Sequence, residues 1–486
     1  MRDYFIFKIN LMGGIVSPGL LYKILKAALN LGIGNVRFGA RQQLLIQVHN
    51  DEVVLFQKEL AKLDVNFETN TDQFPNVISS YCGEEVFRTG QWLGTNEYHT
   101  ILDGLGTDAR LKINISDSNQ SFTPFFTGNL NFISSPEPHY WYLYIRPKQQ
   151  NTVHKWPELI YTNHIGKLSS ALEKSLLQST EFDLDRLFKT LKKSIRPISL
   201  PITQELILPS FSLPYYEGFN RYESRTWLGL YSRNEQFSVP FLLEVCDLCL
   251  KSRIGEICTT PWRSLIIKGI EDSYREQWSD ILSKHHINVR HAASELAWQT
   301  EDDNEIGAQL KKELISYIAK EDTRTFGLCF GIQTRPKSEV FGSVLIRKRP
   351  LFSLGSFSLG YVYDIYHTEH FNPNSRNYFP FELGLLKSQL PNQLVRICRR
   401  FNNLRLIKSQ NNFSKEQPPV PKSELARSVY QCPNCFTVYD EHYGDPSQGI
   451  LANTTFEDLP EDYCCSTCET PKSEIEKMDN FKVMLS

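Results

Sequence analysis

No run of eighteen apolar residues occurs in this chain of 486 residues, so nothing in it reads as a helix long enough to span a membrane. The opening MRDYFIFKINLMGGIVSPGL carries Arg2, Asp3 and Lys8 and has no long apolar core before a small-residue cleavage site. It does not read as a secretory signal, and a cytoplasmic chain is expected. Excess charge of one sign is also missing. A formal net charge of −2 points to neither nucleic acid nor a membrane surface as partner. Cysteine is absent from residues 283 to 328, which bears on the second half of the chain. With 41% apolar and 22% charged residues, the composition is that of ordinary folded protein. Its length allows roughly three to four domains.

What is present is a cysteine arrangement. Four of the eleven cysteines form Cys432-x-x-Cys435 and Cys465-x-x-Cys468, with 29 residues between the pairs. Two such knuckles can close a tetrahedral tetrathiolate around one metal ion, which suits zinc or iron. The alternative of two disulfides needs export, and a cytosolic chain favours metal-bound thiolates. The other seven cysteines are scattered, as buried thiols usually are. Charge follows the same division. Residues 427–481 hold eleven acidic side chains against Arg427, Lys472 and Lys477, a formal −8 that leaves +6 on everything else. An acidic module beside a mildly basic body suits electrostatic docking, onto its own chain or onto a separate redox partner. Between them, the polar stretch from Ser409 to Ser423, with Pro418, Pro419 and Pro421, reads as an extended, semi-rigid tether.

From Tyr430 the sequence runs YQCPNCFTVYDEHYGDPSQGILANTTFEDLPEDYCCSTCETPKSEI. It resembles rubredoxin at Tyr439-Asp440, Gly444-Asp445-Pro446, Gly449-Ile450 and Thr455-Phe456-Glu457-Asp458-Leu459-Pro460, besides the two knuckles. The resemblance implies one iron ion held by Cys432, Cys435, Cys465 and Cys468, one-electron transfer, and redox proteins as partners. Cys464 is then a spectator, and Tyr430, Tyr439, Phe456 and Tyr463 make a small aromatic core. Two positions depart from the family. Phe436 and Glu469 stand where glycine usually follows the second and fourth cysteines, a site of positive φ. Zinc in a ribbon-like site stays open, because the ligands alone do not exclude it.

The first 410 residues carry a weak internal repeat. Gly13-Gly14-Ile-Val-Ser-Pro-Gly-Leu-Leu leads into a helical pattern through Leu31, then Gly32-Ile-Gly34-Asn-Val-Arg37-Phe-Gly-Ala-Arg41-Gln42 and an apolar strand. Around position 240 the plan recurs as FLLEVCDLCLKS followed by Gly255-Glu-Ile-Cys258-Thr-Thr260-Pro261-Trp262. Both copies resemble the ferredoxin-like half-domains of siroheme-dependent nitrite and sulfite reductases. The resemblance implies an α+β chain made of two reductase-like halves, each a half-domain plus a larger α/β domain, with a rubredoxin-like tail. The expected segments are 1–70, 71–205, 206–280 and 281–408, a linker at 409–426, and the metal module at 427–481.

By the same resemblance, Arg37 and Arg41 stand at the paired arginines that face siroheme and its anionic substrate. Arg110 and Lys112 stand at two further basic positions around that anion, and the alternative for all four is a solvated basic face. A further family arginine is Pro75 here, so this anion pocket is incomplete. An active reductase of this kind also needs Cys-x5-Cys and Cys-x3-Cys in its second α/β domain to hold a [4Fe–4S] cluster. Here that stretch is HAASELAWQTEDD, and beyond it Cys329 and Cys398 stand apart. No such cluster is expected. Cys246-x-x-Cys249 lies in an apolar helical run and reads as buried. The chain is thus expected to be an electron carrier on a reductase-like scaffold, accessory to nitrite or sulfite assimilation and pairing with a siroheme reductase. The alternative keeps siroheme, as a reductase fed by the rubredoxin iron or as a siroheme carrier.

Overall fold

The computed structural model describes residues 3–478 apart from 88–91, 149, 151, 179–181, 223, 290–294, 336–337, 339, 355–356, 414–428, 436, 442, 446–447 and 452. The chain divides into two compact units, Met1–Leu406 and Ile407–Ser486. Among the described residues no helix is long and apolar enough to cross a membrane.

Among its described residues the larger unit is built on four sheets. The first is antiparallel, in the order Phe237–Ser238, Asn35–Phe38, Gln43–His49, Tyr4–Asn10, Phe67–Thr69. The second has the order Gly218–Tyr222, Arg225–Leu230, Leu265–Ile270, Ile257–Thr259, Ile15–Val16. Each borrows its edge strand from the other half of the chain. Phe237 pairs with Val36 in one, and Val16 with Ile257 in the other. The helix Pro18–Asn30 starts where Ser17 accepts the Leu20 N–H and Pro18 occupies the first turn. Its counterpart Val239–Lys251 buries Phe241, Leu242, Val245, Cys246 and Cys249 in the same hydrophobic cluster as Leu21, Ile24 and Leu25. Period-2 alternation on Tyr4–Asn10, with Phe7 and Ile9 buried, closes that core against the first sheet.

The third sheet runs Ser199–Pro201, Glu158–Tyr161, Tyr140–Ile145, Leu130–Ser134, Ile113–Ser116, Ile78–Ser79, with His154–Lys155 alongside Tyr140–Ile145. The fourth runs Trp298–Thr300, Phe330–Gln333, Val344–Leu354, Phe357–Thr368, Tyr378–Leu385. Both begin with three parallel strands and continue antiparallel. Both insert a helix between the first two strands, Thr95–Gly104 and Glu305–Lys320, and place another, Ile165–Gln178 and Leu390–Phe413, after Glu158–Tyr161 and Tyr378–Leu385 respectively. Chain order and strand direction agree in the two halves, which makes the duplication physical. The helix Leu390–Phe413 also corrects the expected tether. Residues 409–413 are helical rather than extended, because no proline follows until Pro418. The rest of that stretch lies outside the described residues.

The smaller unit carries a three-stranded sheet of Val438–Asp440, Val429–Gln431 and Glu476–Lys477. Tyr439, Leu459 and Tyr463 are the buried members of its hydrophobic cluster, packed by Tyr430, Ile450, Phe456 and Ile475. Tyr430 stacks on Phe456 at 4.0 Å, and Tyr439 meets Tyr463 edge-on at 5.7 Å. The expected aromatic core is therefore present.

Candidate metal centre and the cation-bearing face of the body

The two knuckles fold alike. The Cys432 N–H donates to the Thr437 carbonyl at 2.9 Å, and the Cys465 N–H to the Thr470 carbonyl at 2.8 Å. Each loop turns backbone N–H groups toward sulfur: those of Asn434 and Cys435 to Cys432, of Thr437 to Cys435, and of Thr470 to Cys468. The four Sγ atoms lie within 4.8 Å of one another. Cys432 and Cys468 are 3.4 Å apart, as are Cys435 and Cys465. A metal–sulfur bond of about 2.3 Å implies a tetrahedral edge of about 3.8 Å, so the four free thiols fit one metal ion. Cys464 is outside the group.

Electrostatics prepare the sulfurs for this. Burial pushes the Cys432 thiol up, but the Thr470 hydroxyl and the N–H groups of Cys435 and Asn434 outweigh it and hold it at about 6. Cys435 is lowered, first by the Thr437 hydroxyl and then by its N–H. Cys468 receives the Thr470 hydroxyl and N–H, yet Cys435 and Cys432 push it up to about 11 because neighbouring thiols share their protons. A cation in their midst removes that opposition.

The thiols of the larger unit are different. Cys82, Cys246, Cys249, Cys258, Cys329 and Cys398 are all buried. Burial pushes Cys246, Cys329 and Cys398 up to about 12, and Cys82 and Cys249 higher. Among the described residues, the C-terminal four are the only group of three or more His, Cys, Asp or Glu able to share a metal.

The four cations read from the sequence are not gathered in one cavity. Arg41 and Lys112 line a cavity of about 220 Å³ with Lys8, Asp72, Glu301 and Asp302. Arg37 lines a larger one of about 520 Å³ beside Tyr4, His49 and Glu52, and Arg110 lines neither. Arg41 donates to the Asn76 carbonyl at 2.6 Å and the Ile113 carbonyl at 3.2 Å. Arg37 faces Asp303 at 3.7 Å, and Lys112 faces Asp72 at 3.4 Å. Arg110 lies over the Phe74 ring at 5.8 Å. Both Arg110 and Lys112 precede the strand Ile113–Ser116 rather than lying in it.

The duplication explains part of this. Gln42 (φ 57°) and Arg263 (φ 55°) end matching tight turns, with Gly39 N–H donating to Gln43 and Thr260 N–H to Ser264. That register places Trp262 where the first half has Arg41, its indole donating to the Phe122 carbonyl at 2.7 Å. Sequence reasoning missed Arg263. Its guanidinium, 4% exposed, lies 3.4 Å from Glu235 and 3.0 Å from Asp302. Lys311 reaches Glu235 from the other side at 2.6 Å. Burial raises the Glu235 carboxyl, but Arg263 and Lys311 overcome this and hold it at about 2.

Comparison with known proteins separates the two units. The rubredoxin family model matches residues 429–475. The chain is 48% identical over 56 residues to the probable rubredoxin-2 of Methanocaldococcus jannaschii, 12% of this chain and 96% of that protein. The rubredoxin family therefore includes this chain, through its C-terminal module. It is also 46% identical over 57 residues to the high molecular weight rubredoxin of Moorella thermoacetica and 34% identical over 70 residues to rubredoxin-2 of Ectopseudomonas oleovorans. It spans only 25% and 40% of those relatives, and 12% and 14% of its own length. The body shares the fold of the NirA protein of Mycobacterium tuberculosis. That match has a TM-score of 0.62 and 14% identity over 82% of this chain and 81% of that one. It agrees with the duplicated α+β body read from the sequence.

In the rubredoxin module Cys432, Cys435, Cys465 and Cys468 are thus placed to bind one iron, and a rubredoxin implies redox partner proteins. Gly444, at φ 66°, has no room for a Cβ, which would lie 2.3 Å from the Leu451 carbonyl oxygen. Glu469 adopts φ 63° where the family has glycine, so this knuckle keeps the family backbone with a side chain that resists it. Phe436 lies outside the described residues.

Proposed function

We propose that the chain is a one-electron carrier whose rubredoxin module serves redox partners, while its body acts as a docking platform instead of carrying out six-electron reduction. The accessory role is to nitrite or sulfite assimilation in the cytoplasm, with a siroheme reductase as partner. An iron held by the four thiolates supplies one-electron chemistry, with little change in a tetrahedron that suits both oxidation states. The observation that carries the reading is the unequal disposition of thiols: four converge in the module, while those of the body are buried and form no such group.

The siroheme alternative meets an obstacle in the body. Its cations already face carboxylates of the chain, Arg37 with Asp303 and Lys112 with Asp72. Glu301 and Asp302 line the same cavity as Arg41 and Lys112. A macrocycle rich in carboxylates would have to compete with these acids for the cations Lys8, Arg41, Lys112 and Arg335 of that cavity, which weighs against it. The test is purification after siroheme-replete expression, then assay with reduced methyl viologen and nitrite or sulfite. The proposal expects no porphyrinoid band and no turnover by this chain alone. A bound tetrapyrrole with turnover would overturn it.

A further inference from the structure

We propose that the Thr470 hydroxyl, aimed by Asn434, sets the reduction potential of the metal centre by donating to the Cys468 sulfur, with Thr437 as a weaker counterpart. The inference rests on the iron reading above and concerns residues outside the ligand set.

Thr470 is 4% exposed, and its Oγ1 lies 3.0 Å from Cys468 Sγ and 3.3 Å from Cys432 Sγ. The Asn434 side-chain amide donates to that same oxygen at 2.9 Å. A hydroxyl carries one proton. With its oxygen engaged by Asn434 and its sulfur neighbours deprotonated, that proton points at sulfur, and burial keeps water from competing for it. The second knuckle position is built differently. Thr437 Oγ1 lies 3.1 Å from Cys435 Sγ but also 2.9 Å from the Thr467 hydroxyl, which can accept its proton. Asn434 and Thr467 each sit two residues after the first cysteine of a knuckle, and Thr437 and Thr470 two residues after the second. An amide donor in one place and a hydroxyl in the other makes the two sides unequal, with Thr470 the stronger.

The direction follows from charge. Iron(III) with four thiolates carries −1. One electron from a donor protein, or from dithionite in the test, makes it iron(II) at −2, with no proton moved. A hydrogen bond to sulfur favours the more negative form and so raises the potential.

The test is spectroelectrochemistry of the full iron-loaded chain. Thr470→Val should shift the oxidised-to-reduced ratio about tenfold toward oxidised, a fall of about 59 mV. Thr470→Ser, which restores the hydroxyl, should stay close to the parent, and Thr437→Val should fall less than Thr470→Val. If Thr470→Val loses its iron, Asn434→Leu decides, since it keeps Thr470 and removes only its aim; a lowered potential supports the proposal. An unchanged potential in Thr470→Val, or in Asn434→Leu, would overturn it. So would a Thr470→Ser value as low as that of Thr470→Val, which would make shape rather than the hydroxyl responsible. A parent chain that takes up no electron reversibly would instead remove the iron reading on which the proposal stands.

Discussion

The same side chain, cysteine, behaves oppositely in the two units. In the module, amides and hydroxyls converge on sulfur and hold Cys432 at about 6. In the body, burial outweighs what donors there are, the Ser343 N–H and hydroxyl at Cys329 included, and pushes Cys246, Cys329 and Cys398 up to about 12. The first environment favours thiolates and hence a metal; the second favours inert thiols that serve as small apolar side chains. The difference lies in backbone turns rather than in cysteine number, since the body holds six.

The strongest way to break this contrast is to remove a ligand. Cys465→Ser should abolish stoichiometric iron retention, read by metal analysis, and lower the thermal stability of the module, because metal binding and folding are coupled in a unit this small. Smaller in effect is the body's buried charge cluster. Lys311→Met leaves Glu235 with Arg263 alone, and chemical denaturation of the body should show a loss of about 1.5–3 kcal/mol. The acid limb tests the same cluster. Glu235 is depressed from 4.5 to about 2, so its contribution is full above about 4.5 and is lost as pH falls toward 2. Lys311→Met should flatten that part of the stability–pH curve. Smallest is Glu469→Gly, which relieves a left-handed residue and should stabilise the metal-loaded module by about 1 kcal/mol, read as a raised melting temperature. An unchanged or lowered value would mean that the side chain's contacts outweigh the strain.

Legibility in the sequence tracked how local the determinant was. The knuckles, Gly444 and the aromatic core were readable because each rests on a short run of residues. The duplication was readable as helix, glycine turn and strand in both halves. The exchanged edge strands were not: Ile15–Val16 and Phe237–Ser238 are two residues each, with partners more than two hundred positions away. Arg263 escaped for the same reason, since its acids come from Glu235 and from Asp302 beyond another helix. Four basic residues suggested one pocket, but the carboxylates that face Arg37 and Lys112 and the carbonyls that hold Arg41 lie in distant segments, so the sequence offered charge without its neutralisation. Thr470 was visible two residues after Cys468, but only the fold brings Asn434 from the other knuckle against it.

The central claim is that one iron in the rubredoxin module is the redox centre of this chain. Coulometric titration of the iron-loaded protein, followed by absorbance and electron paramagnetic resonance, tests it most directly. The account predicts one electron per chain, with loss of the thiolate-to-iron band and of the ferric signal in step. A colourless, redox-silent protein that retains one zinc from its native host would contradict it.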